Sequence, residues 1–387
     1  MRHFGYLSAS DTESLFERPP EQFDRRSGNE LLSVALGATL YMPADRPSLP
    51  ADITKQAVAG VTSIVVCLED AIPDEHVAEA ETNLVETLRA LDGDAAHDLP
   101  LLFVRVREAA QIPLLVDRLG PAVRLLDGFV LPKFSASTGP AYLDALEVAE
   151  RTAGTDLLAM PVLESGAVLY AESRVEELKS LHALLNRHRR RILAVRLGAT
   201  DLCSLYGLRR SPELSIYDVK VVADLIADIV NTLGRADGTG FTLTGPVWEY
   251  YAAPERIFKP QLRRSPFDEH HEPELRSWLV SSAIDGLIRE VQLDKANGLT
   301  GKTAIHPSHV AVVNALSVVS FEEHRDASDV LSAGRASGVL ASGHGNKMNE
   351  IRPHMAWARA TTLRSRVFGV AADGVSFVDL LAASVPR

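Results

Sequence analysis

The chain has 387 residues, 46% of them hydrophobic and 24% charged, an ordinary balance for a soluble globular protein and enough to bury a large core. A net charge of -11 argues against a general nucleic-acid binder, which needs a basic face. No window approaches the roughly 18 uninterrupted apolar residues that span a bilayer, and the opening MRHFGYLSAS lacks the apolar run of a signal peptide. Cys67 and Cys203 are too few for a disulfide framework, so a reduced, cytoplasmic setting fits best.

Residues 1–37 are mixed and punctuated by Pro19 and Pro20, with a short helix expected over Asn29–Leu36. They read as an N-terminal extension packed on the main domain. From Ala38 a regular alternation begins. Strand-like runs occupy 38–44, 62–70, 101–107, 127–134, 156–164, 192–201, 241–250 and 302–307. Most are continuously apolar rather than alternating, as strands buried on both faces should be. Helix-like segments at Glu75–Ala90, Ala141–Thr152, Arg174–His188 and Tyr217–Leu233 separate them, with apolar residues at three- and four-residue spacings. Eight strands alternating with helices predict a (β/α)₈ barrel over 38–310, favoured over a doubly wound sheet by the count. A polar loop, Arg263–Pro273, and a helix over Glu274–Ala296 are expected between the last two strands. Residues 311–387 read as a helical tail, a lid or an oligomer-contact arm, broken by the glycine-rich SGHGNK at 342–347.

In such barrels the chemistry sits at the C-terminal ends of the strands. Those ends carry Asp45 and Arg46, Glu69 and Asp70, Arg105 and Arg107, Lys133, Glu164, Asp201, Glu249 and His306 in strand order. Any one alone is unremarkable, since strands often finish in a polar residue. Their convergence describes a site for a small anionic substrate on a hard cation. Glu164 and Asp201, each closing an apolar run, are the expected metal ligands, because magnesium takes oxygen donors and often only one or two carboxylates. Arg105 would stabilise an enolate oxyanion, Glu69 and Asp70 would orient waters or move protons, and Arg105, Arg107, Lys133 and Glu249 would contact the substrate. Arg105 and Arg107, two apart, are expected on one face.

The segments MPADRP (42–47), VVCLEDAIP (65–73), FVRVR (103–107), GFVLPK (128–133), PVLESGAVL (161–169), LGATDLCSLYGL (197–208) and GKTAIHP (301–307) resemble, in order, the citrate lyase β-subunit group of the HpcH/HpaI aldolase superfamily. The resemblance implies a (β/α)₈ barrel, Mg²⁺ with Mn²⁺ as the alternative, carbon–carbon cleavage or condensation through an enolate, and a homotrimer or hexamer. It makes Arg105 the substrate and enolate anchor, Glu164 and Asp201 the metal ligands, and Glu69 and Asp70 the acidic pair beside the metal. The chain departs from the pattern at Arg107, where members commonly carry Asn, and at GPVWEYY (245–251). The stretch NKMNEIRPH (346–354) lacks an obvious counterpart of the lid aspartate that reaches a neighbouring subunit, leaving Asn349 or Glu350 in its place.

Three functions are therefore in play. The first is a magnesium-dependent lyase or aldolase on a hydroxy or keto acid or its CoA thioester. The second is an aldolase or biosynthetic lyase on a larger free oxoacid without CoA, with Trp248, Tyr250 and Tyr251 stacking on a ring. The third is a barrel that binds metal or ligand without catalysis. ANGLTGKT (296–303) imitates a phosphate loop but starts with Ala296 and leads into a strand, so it is set aside. His270 and His271 read as a solvated loop, and Cys203 as a buried thiol.

Overall fold

The computed structural model describes residues 1–93, 98–251, 284–334 and 338–384. The loop at 263–273, with His270 and His271, and the first part of the helix expected from Glu274 lie outside the described residues. Among the described residues, eight parallel strands form one sheet in sequential order. They are β1 (Ala38–Pro43), β2 (Ser63–Cys67), β3 (Leu101–Arg105), β4 (Gly128–Leu131), β5 (Leu158–Leu163), β6 (Val195–Leu197), β7 (Leu243–Thr244) and β8 (Lys302–Ala304). β8 pairs with β1, and the ring closes through Gly245, whose N–H donates to the Gly301 carbonyl at 3.1 Å while its carbonyl accepts from Thr303 N–H at 3.2 Å. Gly301 has φ +69°, and a Cβ there would stand 2.4 Å from the Gly37 carbonyl oxygen, so the seam needs glycine.

The strands read as apolar runs because both faces are covered. Every residue of β2 and β4 is buried. Helices supply the outer face from one apolar stripe each. Lys220–Leu233 buries Val222, Leu225, Ile226, Ile229 and Leu233, the three- and four-residue spacing of one helix face. Truncating one of these, Ile229→Ala for example, costs about 2–5 kcal/mol.

The strands are shorter than the sequence suggests, and the loss falls at their C-terminal ends. There the chain leaves the ladder to present side chains. Asp201 stands in the first turn of the short helix Ala199–Ser204 rather than at a strand end. Glu249 lies five residues past the last residue of β7.

The barrel's last helix, Ser308–Ser317, runs across the boundary expected at residue 310. The N-terminal segment and the tail come together at the opposite end from the site. Phe16–Arg18 pairs with Val370–Ala371, and His3 lies 4.4 Å from the Phe368 ring. Helix Ile351–Phe368 packs on Asn29–Ala35, and a groove between them is bounded by Ile192, Phe241 and Thr300, which all precede strands. Within the chain the tail therefore flanks the N-terminal ends of the strands. No helix among the described residues is long and apolar enough to cross a membrane.

Candidate active site

A cavity of about 480 Å³ opens at the C-terminal ends of the strands, and Asp70, Arg105, Glu164, Asp201 and Glu249 line it together. A larger cavity of about 770 Å³ lies at the other end of the barrel, among Arg187–Arg191 and the residues preceding β5. It brings no comparable set of acids to one point.

Arg105 ends β3 and is the hub. Its Nη2 lies 2.6 Å from Glu69 Oε2, 3.1 Å from Glu164 Oε1 and 3.2 Å from Asp70 Oδ2. Burial works against its charge, and Glu164 with its neighbours more than restores it, so its pKa stands above the usual guanidinium value. Lys133 follows β4 with φ +47°, a left-handed turn that a lysine rarely adopts. That turn aims its backbone N–H at Glu164 Oε1 (2.8 Å) while its Nζ reaches Glu69 Oε1 (2.8 Å).

Glu164 is 3% exposed. Its Oε1 is held by Arg105 and Lys133, and its Oε2 has no donor among the described residues. Burial first, with the Asp201 charge adding to it against Arg105, pushes its pKa up to about 7. Asp201 is raised as well, by burial and then by the charge of Asp70. Two carboxylates driven towards neutrality across a cavity, one with a buried oxygen that has no partner among the described residues, are a set of oxygen donors whose charge a cation would offset. The donors are all oxygen. Among the described residues no group of three or more His, Cys, Asp or Glu side chains is arranged to hold a metal. A hard ion that keeps most of its waters fits this set, and a thiolate or imidazole cage does not.

Not every expected residue reaches the cavity. Glu69 lies behind it, engaged at both oxygens by Lys133 and Arg105. Lys133 stands beside Glu69 and does not line the cavity. Arg107 does not share the face of Arg105, because β3 stops at Arg105 and the strand alternation ends there. Its guanidinium donates instead to the carbonyls of Leu68 (2.9 Å), Glu69 and Ile72 and pairs with Asp74. Arg107 thus clasps the loop that carries Glu69 and Asp70, in place of the substrate contact expected of it. Asp45 is outside the cavity lining, and Arg46 turns to Asp52 at 2.8 Å. Glu249 lines the cavity but accepts from Arg210 Nε at 3.1 Å.

Trp248, Tyr250 and Tyr251 do not form the expected aromatic platform. Trp248 is fully buried, edge-on to Tyr250 and beneath Arg210, and the Tyr250 hydroxyl donates to the Arg210 carbonyl. Only Tyr251 is exposed, stacked on His306 at 4.6 Å. His306 itself accepts or donates within its own turn, to Ser308 Oγ at 2.8 Å. Lys302 of the phosphate-loop imitation is buried between Glu290 (2.8 Å) and Asp294 (2.7 Å), out of reach of any phosphate. Asn349 is buried too, and donates to Asp326 Oδ1 at 3.0 Å. Burial raises the Cys203 thiol, which removes it as a nucleophile.

Tyr41 and Arg196 also line the cavity and were not singled out from sequence. The signal for Arg196 was present: it is the one charged residue inside the apolar run 192–199.

Comparison with known proteins agrees with this geometry. A family model described as a carbon–carbon bond lyase of the TIM-barrel fold matches residues 30–370. An L-malyl-CoA/β-methylmalyl-CoA lyase of Cereibacter sphaeroides is 25% identical over 312 residues, covering 79% of this chain and 86% of the relative. Among solved structures, a citrate lyase from Burkholderia xenovorans superposes with a TM-score of 0.60 at 15% identity, covering 89% of this chain and 96% of that one. The CitE protein of Mycobacterium tuberculosis, in complex with magnesium, acetoacetate and coenzyme A, gives 0.53 at 20% identity, covering 88% and 99%. At those identities the superpositions establish the fold alone. With the family model spanning most of the chain and the acids gathered at the barrel mouth, the protein belongs to the TIM-barrel carbon–carbon bond lyase family.

Proposed function

We propose that the chain is a magnesium-dependent lyase that makes or breaks a carbon–carbon bond next to a carbonyl, in a short hydroxy or oxo acid or its CoA thioester. The observation that carries this reading is the buried Oε2 of Glu164, without a partner among the described residues, in a carboxyl whose pKa the Asp201 charge helps to raise. Glu164 and Asp201 would hold the ion, which when bound supplies a Lewis acid for the substrate's oxygens. Magnesium is favoured by the oxygen donors and by its presence in the CitE complex. Manganese, with similar ligand preferences, is the alternative.

The chain's own groups account for the remaining steps. Arg105 presents a fixed positive charge beside Glu164, where an enolate oxygen would gain negative charge as the bond breaks. In the cleavage direction the β-hydroxyl loses its proton, its carbon becomes a carbonyl, and the electron pair of the broken bond passes to the enolate, which is then protonated at carbon. Asp70 is the carboxylate available for that proton traffic. It lines the cavity and is half exposed, whereas Glu69 is locked by Lys133 and Arg105 and so positions Arg105.

CoA is part of this proposal through the malyl-CoA lyase relative and the CitE complex. The reading as a lyase of larger ring-bearing oxoacids loses its support with the burial of Trp248. A homotrimer or hexamer belongs to the same proposal, supported by exposed Leu205, Tyr206, Leu208 and Leu214 just after the helix that carries Asp201. Light scattering in solution tests the assembly.

The functional test is turnover on a panel of free hydroxy and oxo acids beside their CoA thioesters, with and without magnesium. Metal-dependent cleavage lost in Glu164→Ala and Asp201→Ala supports the reading. Turnover that survives both changes overturns it.

A further inference from the structure

The interior of a barrel of this type is filled by layers of mostly branched apolar side chains. Here the layer beneath the acids carries a charge. Arg196, the centre of β6, is in register with Val162 of β5, two residues before Glu164. It therefore stands one inward-facing layer deeper, roughly 6–7 Å along the strand. Arg196 is 1% exposed and still contributes to the cavity wall.

Its partners are all neutral. Nη2 donates to Thr303 Oγ1 at 2.7 Å, and Nη1 reaches Thr39 Oγ1 at 3.4 Å and Met160 Sδ at 3.6 Å. The guanidinium carbon lies 5.5 Å from the centre of the Tyr41 ring. Nε has no partner among the described residues. The charged or titratable groups that act on Arg196 are the Tyr41 hydroxyl and Arg105, and no carboxylate is among them. A guanidinium does not shed its proton, so a buried one with no carboxylate partner among the described residues is suited to receive an anion. Arg105 stands at the rim among Glu69, Asp70 and Glu164, where the enolate end of the substrate is placed, so an anion at the floor faces Arg196.

We propose that Arg196, with the hydroxyls of Tyr41 and Thr303, forms a floor subsite that receives a second carboxylate of the substrate. The enzyme then selects short dicarboxylic oxo or hydroxy acids. One end is held at the rim by the metal site of Glu164 and Asp201, and the other reaches down to Arg196. The inference rests on the metal-site reading above and adds a substrate class to it.

Calorimetric titration of the magnesium-loaded protein separates the two. The probes are oxaloacetate and 2-oxoglutarate, their methyl-terminated counterparts 2-oxobutyrate and 2-oxovalerate, and oxalate, which reports the metal end alone. At least one dicarboxylate is expected to bind about tenfold or more tightly than its methyl-terminated counterpart. Arg196→Met is expected to erase that preference while weakening oxalate far less. If that variant does not fold, the wild-type preference and its reduction in Arg196→Lys decide the matter. Equal binding of each pair by the wild type, or a preference that survives Arg196→Met, overturns the floor subsite. Failure of oxalate to bind the magnesium-loaded wild type overturns the metal-site reading, and the inference falls with it.

Discussion

Gly198 lies against Glu164 so closely that a Cβ at position 198 would stand 2.0 Å from Glu164 Oε2. Its backbone N–H is also tied to the Leu163 carbonyl at 3.2 Å, which fixes β6 beside β5 at this level. Glycine here is a steric requirement of the carboxylate. Gly198→Ala is expected to displace Glu164 and weaken magnesium binding by about 10- to 100-fold, the scale of a disturbed metal-site support. Overpacking would lower stability by about 1–3 kcal/mol. Titration of magnesium beside a urea melt measures both, and unchanged metal affinity would show that Glu164 Oε2 is not a ligand.

The clasp made by Arg107 gives a second expectation. A lysine cannot reproduce a guanidinium that donates to three carbonyls at once. Arg107→Lys is expected to leave magnesium affinity near that of the wild type and to lower kcat/KM by about 100-fold through misplacement of Asp70. Steady-state kinetics check it. A rise in KM alone, with kcat unchanged, would point to direct substrate contact instead.

Glu290, Asp294, Lys302 and Arg210 form a buried network behind β8, with Tyr217 donating to Asp294 at 2.9 Å. Lys302→Met strands Asp294 without its cation and leaves Glu290 with Arg210 alone. It is expected to destabilise the fold by about 3–5 kcal/mol in chemical denaturation. A change below about 1 kcal/mol would contradict that role for Lys302.

Two buried histidines set an acid limit. Burial holds the pKa of both His3 and His309 down to about 4, from an unfolded value near 6.5. The unfolded chain binds more protons between those values, so stability is full above about pH 6.5 and falls as pH drops towards 4. Each contributes on the order of 3 kcal/mol to that loss. Both use Nε2 towards a backbone carbonyl, of Ala35 at 3.0 Å and Tyr250 at 3.1 Å, a contact that glutamine can imitate. Denaturation across this range should therefore show a flatter acid limb in His3→Gln/His309→Gln than in the wild type.

Much of the fold was legible because a buried parallel strand has to be apolar throughout, and a covering helix apolar on one side only. The eight runs and their order survive in the structure. Their C-terminal ends do not, because a polar residue looks the same whether it ends a strand, as Arg105 does, or starts a helix, as Asp201 nearly does. Arg105, Glu164 and Asp201 could be read at the mouth because each closes an apolar run. Arg107 could not be read correctly, since its partners are carbonyls of a loop whose path no side-chain pattern encodes. Trp248 misled for a related reason: the small Gly286 that makes room for its ring is distant in sequence. Arg196 is legible as a lone charge in a buried run.

Protons and metal should compete at Glu164. With its pKa pushed up to about 7, magnesium binding below that pH must displace a proton. Affinity is expected to rise with pH up to about 7 and then level off, with proton release visible in buffers of different ionisation enthalpy.

The central claim is that Glu164 and Asp201 hold one divalent cation between them. Calorimetric titration of magnesium into the wild type, Glu164→Gln and Asp201→Asn near pH 8 tests it most directly. One site per chain is expected in the wild type, and its loss in each variant, with all three proteins folded. Equal magnesium binding by the wild type and both variants would contradict it.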